Sequence, residues 1–208
     1  MATTTQNAIT LKGSAAIVKE YLKYGINSIL FQRGIYPPEK FDSVQKYGLT
    51  ILMSTDEKIV EFLEKVLGQV EEWLARNEVE KISLVITMVH TKEVLERWDF
   101  KVHSEPTATG GGPVIDPSTA VSSKELKKIQ AEIRDVMRQI AATVSYLPLL
   151  EYLCTFDVLI HTVKNCDLPE KWNETDEVQI QNAQTVQLKS FSTGLQKVET
   201  IVNYRMTD

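Results

Sequence analysis

Apolar residues return every three or four positions in three stretches of the chain, and alternate with polar ones in most of the rest. Between Ser14 and Phe31, Ile17, Tyr21, Tyr24, Ser28 and Phe31 interleave with Val18, Leu22, Gly25 and Ile29. That spacing predicts a helix with a broad apolar face, stopped by Gly34 and by Pro37-Pro38. Tyr47 to Met53 reads as a short strand. Ser54 and Glu57 form a capping-box pattern ahead of Ile59, Phe62, Leu63, Val66, Val70, Trp73 and Leu74, which predicts a second helix from Thr55 to about Arg76 with Asn77 as its stop. Lys81 to Val89 and Val94 to Val102 read as the arms of a hairpin turning at Thr91-Lys92-Glu93. A second capping-box pattern, Ser122 and Glu125, opens the cleanest periodic run, Leu126, Ile129, Ile133, Val136, Met137, Ile140, Val144 and Leu147, which Pro148 ends.

Between these elements, 103–123 holds three consecutive glycines and three prolines and is expected to be a flexible loop. After the third helix Cys154 to Thr162 alternates, with Phe156, Val158 and Ile160 on one face. A polar, turn-rich stretch from Lys164 to Gln184 precedes two strand-like runs, Val186 to Phe191 and Leu195 to Met206. Their alternation is expected to break near Val198 to Val202, leaving the register weakly specified. The sum is one α+β domain, three helices packed on one largely antiparallel sheet.

Composition narrows the function classes. The chain has 208 residues, 43% hydrophobic and 25% charged, with a net charge of −5, an ordinary globular balance and a poor one for gripping a phosphate backbone. No apolar run approaches the ~18 residues that span a bilayer, and Met1 to Lys12 lacks the pattern of a signal peptide. Cys154 and Cys166 do not make a disulfide framework and read as reduced thiols.

Catalytic chemistry is hard to assemble from this sequence. His90, His103 and His161 stand apart from any metal-ligand spacing. No local signature places an activating histidine beside either cysteine, so a semi-buried thiol and a loop thiol are the simpler reading. Gly110-Gly111-Gly112 lacks the Gly-Lys-Ser/Thr of a phosphate loop, and the many glutamates fall on helix surfaces. No metal, cofactor or catalytic residue is expected, and a binding protein is favoured over an enzyme. The third helix carries Arg134, Arg138, Gln139, Ala142, Ser145 and Tyr146 opposite its apolar stripe. By residue type alone this is either a solvated face or a contact face.

Several ordered strings then carry a resemblance. They include Tyr24-Gly25-Ile26-Asn27-Ser28-Ile29-Leu30-Phe31-Gln32-Arg33-Gly34-Ile35-Tyr36-Pro37, Gln45-Lys46-Tyr47-Gly48-Leu49-Thr50 and Glu93-Val94-Leu95-Glu96-Arg97-Trp98-Asp99-Phe100. Glu132 to Ile140, Leu147 to Glu151, Cys154-Thr155-Phe156-Asp157 and Pro169-Glu170-Lys171-Trp172 complete the set. Together, from about Ile9 to Tyr204, they resemble the HORMA-domain proteins of the spindle assembly checkpoint.

The resemblance implies a non-enzymatic adaptor with an open and a closed fold, occupying residues 9–208 as a core (9–162) and a C-terminal safety belt (163–208). In the closed form the belt, including Trp172, Leu195, Val202 and Tyr204, is expected to wrap a partner peptide laid beside the edge strand Thr155, Phe156, Asp157, Val158, Leu159, Ile160 and His161. Arg138, Gln139, Ala142 and Tyr146 match the family's dimerisation face, and Thr200 matches a position that can be phosphorylated. The implied partners are a coiled-coil kinetochore anchor, the WD-repeat activator of the anaphase-promoting complex, the checkpoint's kinase-like inhibitor subunit, a HORMA-like silencing adaptor, an AAA+ remodelling ATPase and a second copy of the chain, with no nucleic acid and no membrane span. The implied locations are the nucleus, nuclear envelope, kinetochore, spindle and cytoplasm. A paralogous HORMA adaptor, the accessory subunit of translesion polymerase zeta, is the alternative.

Overall fold

The computed structural model describes residues 8–105, 120–163, 166, 168–170 and 172–206. Its elements run β1 (Ile9–Thr10), α1 (Leu11–Gln32), β2 (Phe41–Lys46), β3 (Leu49–Ser54), α2 (Glu57–Leu74), β4 (Val79–Met88), β5 (Val94–Ser104), β6 (Val121–Ser122), α3 (Leu126–Ala142), β7 (Cys154–Thr162), β8 (Ala183–Ser192) and β9 (Gln196–Arg205). Three helices cover one face of a five-stranded antiparallel sheet of order β7-β4-β5-β9-β8. Two further ribbons, β1–β6 and β2–β3, lie outside that sheet, where the sequence suggested a single sheet.

Helix α1 is the central element. Thr10 caps it by accepting the Gly13 amide, and Val18, Tyr21, Leu22, Ile26, Ile29 and Leu30 have no exposed surface. Tyr21 stands edge-on to Phe100 of β5 and Phe191 of β8, with ring centroids 5.9 and 4.8 Å away. The sheet answers with Ile82, Leu84, Ile86, Trp98, Phe100, Val198 and Val202, all buried on the helix side. Gly34 takes a left-handed conformation (φ +63°) and ends the helix, as its position suggests.

Several boundaries differ from the sequence reading for identifiable reasons. Asp56, not Ser54, caps α2, because its carboxylate accepts the Lys58 amide while the Ser54 hydroxyl serves Asp56. The Ser122–Glu125 capping box does not form; Ser122 sits in β6 and its hydroxyl accepts the Lys124 amide. Helix α3 gives way at Thr143 to a short 3-10 turn rather than running to Pro148, and the Thr143 hydroxyl bonds back to the Ile140 carbonyl.

Strand β2 has only Phe41 buried, so its polar run carries no alternation to read. Tyr47 belongs to the β2–β3 turn rather than to a strand. With Gly48 it supplies two consecutive left-handed residues (φ +54° and +70°), the geometry that joins tightly paired strands. Of the expected loop at 103–123, His103 and Ser104 extend β5 and Val121–Ser122 pair with β1, while 106–119 lie outside the described residues. The alternation of β9 does not break either. Gln196, Val198, Thr200 and Val202 are all buried, and the polar residues among them mask the period; the register shift falls in β8, between Gln187 and Ser190.

Candidate functional site

Strand β7 is an outer edge of the sheet. It pairs with β4 on one side, from Met88↔Cys154 to Val79↔Thr162, and heads the strand order. Phe156, Val158 and Ile160 point to the helix layer, where Phe156 meets Tyr36 and Phe62 edge-on at 6.1 and 5.8 Å. Thr155, Asp157, Leu159 and His161 occupy the opposite face. Burial and the neighbouring Lys81 ammonium both push the His161 imidazole below its ordinary pKa.

The chain then leaves β7 at Val163 and returns as a strap around that same edge. Trp172 packs edge-on against Trp73 of α2, ring centroids 5.2 Å apart, which fixes the strap on the helix side. Asn173 to Asp176 pass outside β7. Glu177 and Val178 come to rest on the other face, where Lys81 Nζ bonds Glu177 at 2.9 Å and the Arg97 guanidinium donates to the Val178 carbonyl. Between strap and edge lies a slot of about 400 Å³, walled by Trp73, Trp172, Leu168, Val158 and Ile160. An edge strand offers a row of backbone donors and acceptors, and a strap closed around it confines whatever pairs there.

Hairpin β8–β9 sits at the far side of the sheet, paired with β5 through nine residue pairs from Glu96↔Tyr204 to Ser104↔Gln196. Its seat is polar as well as apolar. Val202 and Leu195 are buried, and Tyr204 is partly buried beside the core. Thr200 is 1% exposed, with its hydroxyl 2.7 Å from that of Tyr21, so the seated hairpin shields it from any modifying enzyme. At the tip, Ser14 Oγ bonds Thr193 and Gln196, both at 2.7 Å, and the Gln196 amide reaches the Leu74 carbonyl and Asn77. Gln196 and Ser14 were not legible as functional residues, since each is a lone polar residue in a stretch of ordinary composition.

Arg138 and Ala142 of α3, and Tyr146 just past the 3-10 turn that follows it, are exposed. Gln139 is partly spoken for, because its side-chain carbonyl accepts the Lys189 amide of β8 at 2.5 Å. This face is therefore continuous with the seated hairpin. Cys154 opens β7 and Cys166 lines the slot. Burial, aided by the Glu96 carboxylate, raises the pKa of Cys154, and burial with Glu78 raises that of Cys166, so neither is activated as a nucleophile.

A HORMA domain family model matches residues 14–196. Human "Mitotic spindle assembly checkpoint protein MAD2A" is 47% identical over 201 residues, covering 97% of this chain and 95% of that protein. "Mitotic spindle checkpoint component mad2" of Schizosaccharomyces pombe is 42% identical over 198 residues, covering 95% and 94%. Zebrafish MAD2B is 28% identical over 215 residues, covering 97% and 96%. Among solved structures, a chain of a mitotic checkpoint complex superposes with a TM-score of 0.82 at 39% identity, covering 93% of this chain and 99% of that one. C. elegans HTP-2 bound to the HIM-3 closure motif superposes with a TM-score of 0.73 at 13% identity, covering 95% and 92%, a likeness of fold alone.

Proposed function

The chain belongs to the HORMA-domain family, and we propose on that premise that it is a spindle-assembly-checkpoint adaptor that captures a peptide by strand addition. The single observation that carries this reading is the strap of 172–178 closed around the outer edge of β7 while the β8–β9 hairpin is seated on β5, at the other side of the sheet. We read this as the closed arrangement, because the strap encircles the β7 edge. A peptide laid along Thr155–His161 gains backbone hydrogen bonds from the strand and side-chain contacts from the slot, and the strap must open before it departs.

The captured segment belongs to the WD-repeat activator of the anaphase-promoting complex or to the coiled-coil kinetochore anchor. Holding the activator delays anaphase until chromosomes attach. The chain does this by binding alone, without catalysis. Its Arg138–Tyr146 face receives an open copy of the chain, the kinase-like inhibitor subunit or the silencing adaptor, and an AAA+ ATPase reopens the belt. These roles place it in the nucleus and nuclear envelope, at kinetochores and spindle, and in the cytoplasm. Identities of 47% and 42% to MAD2A and mad2, against 28% to MAD2B, favour the checkpoint reading over a paralogous HORMA adaptor.

Fluorescence anisotropy tests this with labelled peptides from the activator and from the catalytic subunit of polymerase zeta. Slow, saturable binding of the activator peptide alone is expected. Binding of only the polymerase peptide would move the chain to the alternative pathway.

A further inference from the structure

The face of the sheet away from the helices carries a polar chain that ends on the strap. Arg97 of β5 lies across from Asn203 of β9, and Asp99 lies across from Ser83 of β4. Asp99 is 2% exposed. Its Oδ1 accepts from the Ser83 hydroxyl at 2.6 Å. Its Oδ2 accepts from Arg97 Nε at 3.1 Å, from Arg97 Nη2 at 3.0 Å and from the Asn203 amide at 3.0 Å. Asn203 in turn accepts from the Thr185 hydroxyl of β8 at 2.9 Å. Held in this way, Arg97 turns its Nη1 to the carbonyl of Val178.

We propose that Arg97 is a positioning residue for peptide retention: it fastens the strap, and Asn203 makes that fastening depend on the hairpin being seated on β5. The inference rests on the capture reading above. Its physical basis is that a buried carboxylate needs all its donors. When β9 pairs with β5 in this register, Asn203 completes the shell of Asp99, and Asp99 holds the guanidinium in one pose. When the hairpin leaves, Asp99 loses a donor, Arg97 loses its fixed direction, and the Val178 carbonyl loses its anchor. Hairpin seating and strap closure are then one event rather than two. The neighbouring Lys81–Glu177 pair cannot replace this link, because the Glu177 side chain is 54% exposed and screened.

The full chain is loaded with the labelled activator peptide and chased with excess unlabelled peptide, in wild type, Arg97→Met, Asn203→Ala and the double variant. Hydrogen exchange is followed in parallel at 173–180 and in β4. Arg97→Met is expected to raise the dissociation rate about tenfold or more, with a smaller change in the association rate, as befits loss of a hydrogen bond from a charged donor. Asn203→Ala is expected to raise it about threefold, and the double variant should match Arg97→Met alone because both act through one clasp. Exchange should quicken far more at 173–180 than in β4, where Ser83 and Asn203 still hold Asp99 in Arg97→Met.

An unaltered dissociation rate in Arg97→Met, additive effects in the double variant, or exchange quickening equally in β4 would each overturn the clasp. If Arg97→Met does not fold, Asn203→Ala decides by the same two readouts. If wild type itself retains no peptide, the capture reading fails. The clasp is then judged by exchange alone: faster exchange at 173–180 in Asn203→Ala upholds it, and unchanged exchange overturns it.

Discussion

Arg33 and Glu96 form a nearly solvent-free ion pair, their side chains 3% and 2% exposed and 2.5 Å apart, where the end of α1 meets β5. Trp98 Nε1 donates to the same carboxylate at 3.2 Å, and Arg33 also reaches the Pro148 carbonyl, tying the loop after α3 to the core. Removing one partner strands the other charge in the interior. Arg33→Ala is expected to cost about 3–5 kcal/mol in urea unfolding, whereas Arg33→Met combined with Glu96→Leu should cost much less, because no charge is left unpaired. On the outer surface the expectation reverses. Arg138 is exposed on α3, so Arg138→Ala should leave stability within about 0.5 kcal/mol. It should nonetheless abolish self-association in sedimentation, since an interface arginine can contribute ~2 kcal/mol or more. Little of this scale was legible in the sequence. Arg33, Asp99 and Gln196 are polar residues whose partners lie 63, 16 and up to 182 positions away or are set by the fold, and no local spacing announces such pairs.

At the scale of elements, the sequence was most informative where burial is one-sided. The stripes of α2 and α3 and the alternation of β7 give these elements to within a few residues. It missed β2, a strand that buries almost nothing, and it misread the alternation, though not the bounds, of β9, where Thr200 fills a buried position. The edge strand of the site and both strands of the hairpin were therefore readable, while the pairing of the hairpin with β5 was not. That seat refines the expected effect of truncation. Strand β9 lies between β5 and β8, so deleting Glu199–Asp208 removes the pairing partner of both. The helices still cover Trp98 and Phe100. The truncated chain is expected to remain a folded monomer by size exclusion and circular dichroism. It should release the activator peptide too fast to survive a column wash, while still being recruited by a full-length copy through the Arg138 face of the latter. Retention of the peptide with the full-length lifetime would exclude the belt as the source of slow release.

For the whole molecule, the two edges of the sheet act together. In the proposed reading, seating the hairpin on β5 leaves the β7 edge open to a peptide, and the strap that leads from that edge to the hairpin encloses the slot the peptide would fill. Moving the hairpin means breaking nine residue pairs with β5, the bonds of Thr193 and Gln196 to Ser14 and of Gln196 to Leu74 and Asn77, and the Tyr21–Thr200 contact. Such a change is expected to be slow, because strands must detach before they re-pair. Ion-exchange chromatography should therefore separate two folded monomeric species, and added activator peptide should drive both into one. A single species under every condition would argue against a second fold.

The measurement that tests strand addition most directly is amide hydrogen exchange across Thr155–His161, with and without saturating activator peptide. Alternate amides of β7, those pointing away from β4, should become strongly protected on binding, and the strap at 172–178 should slow with them. Peptide bound at saturation while exchange across β7 stays unchanged would contradict the account.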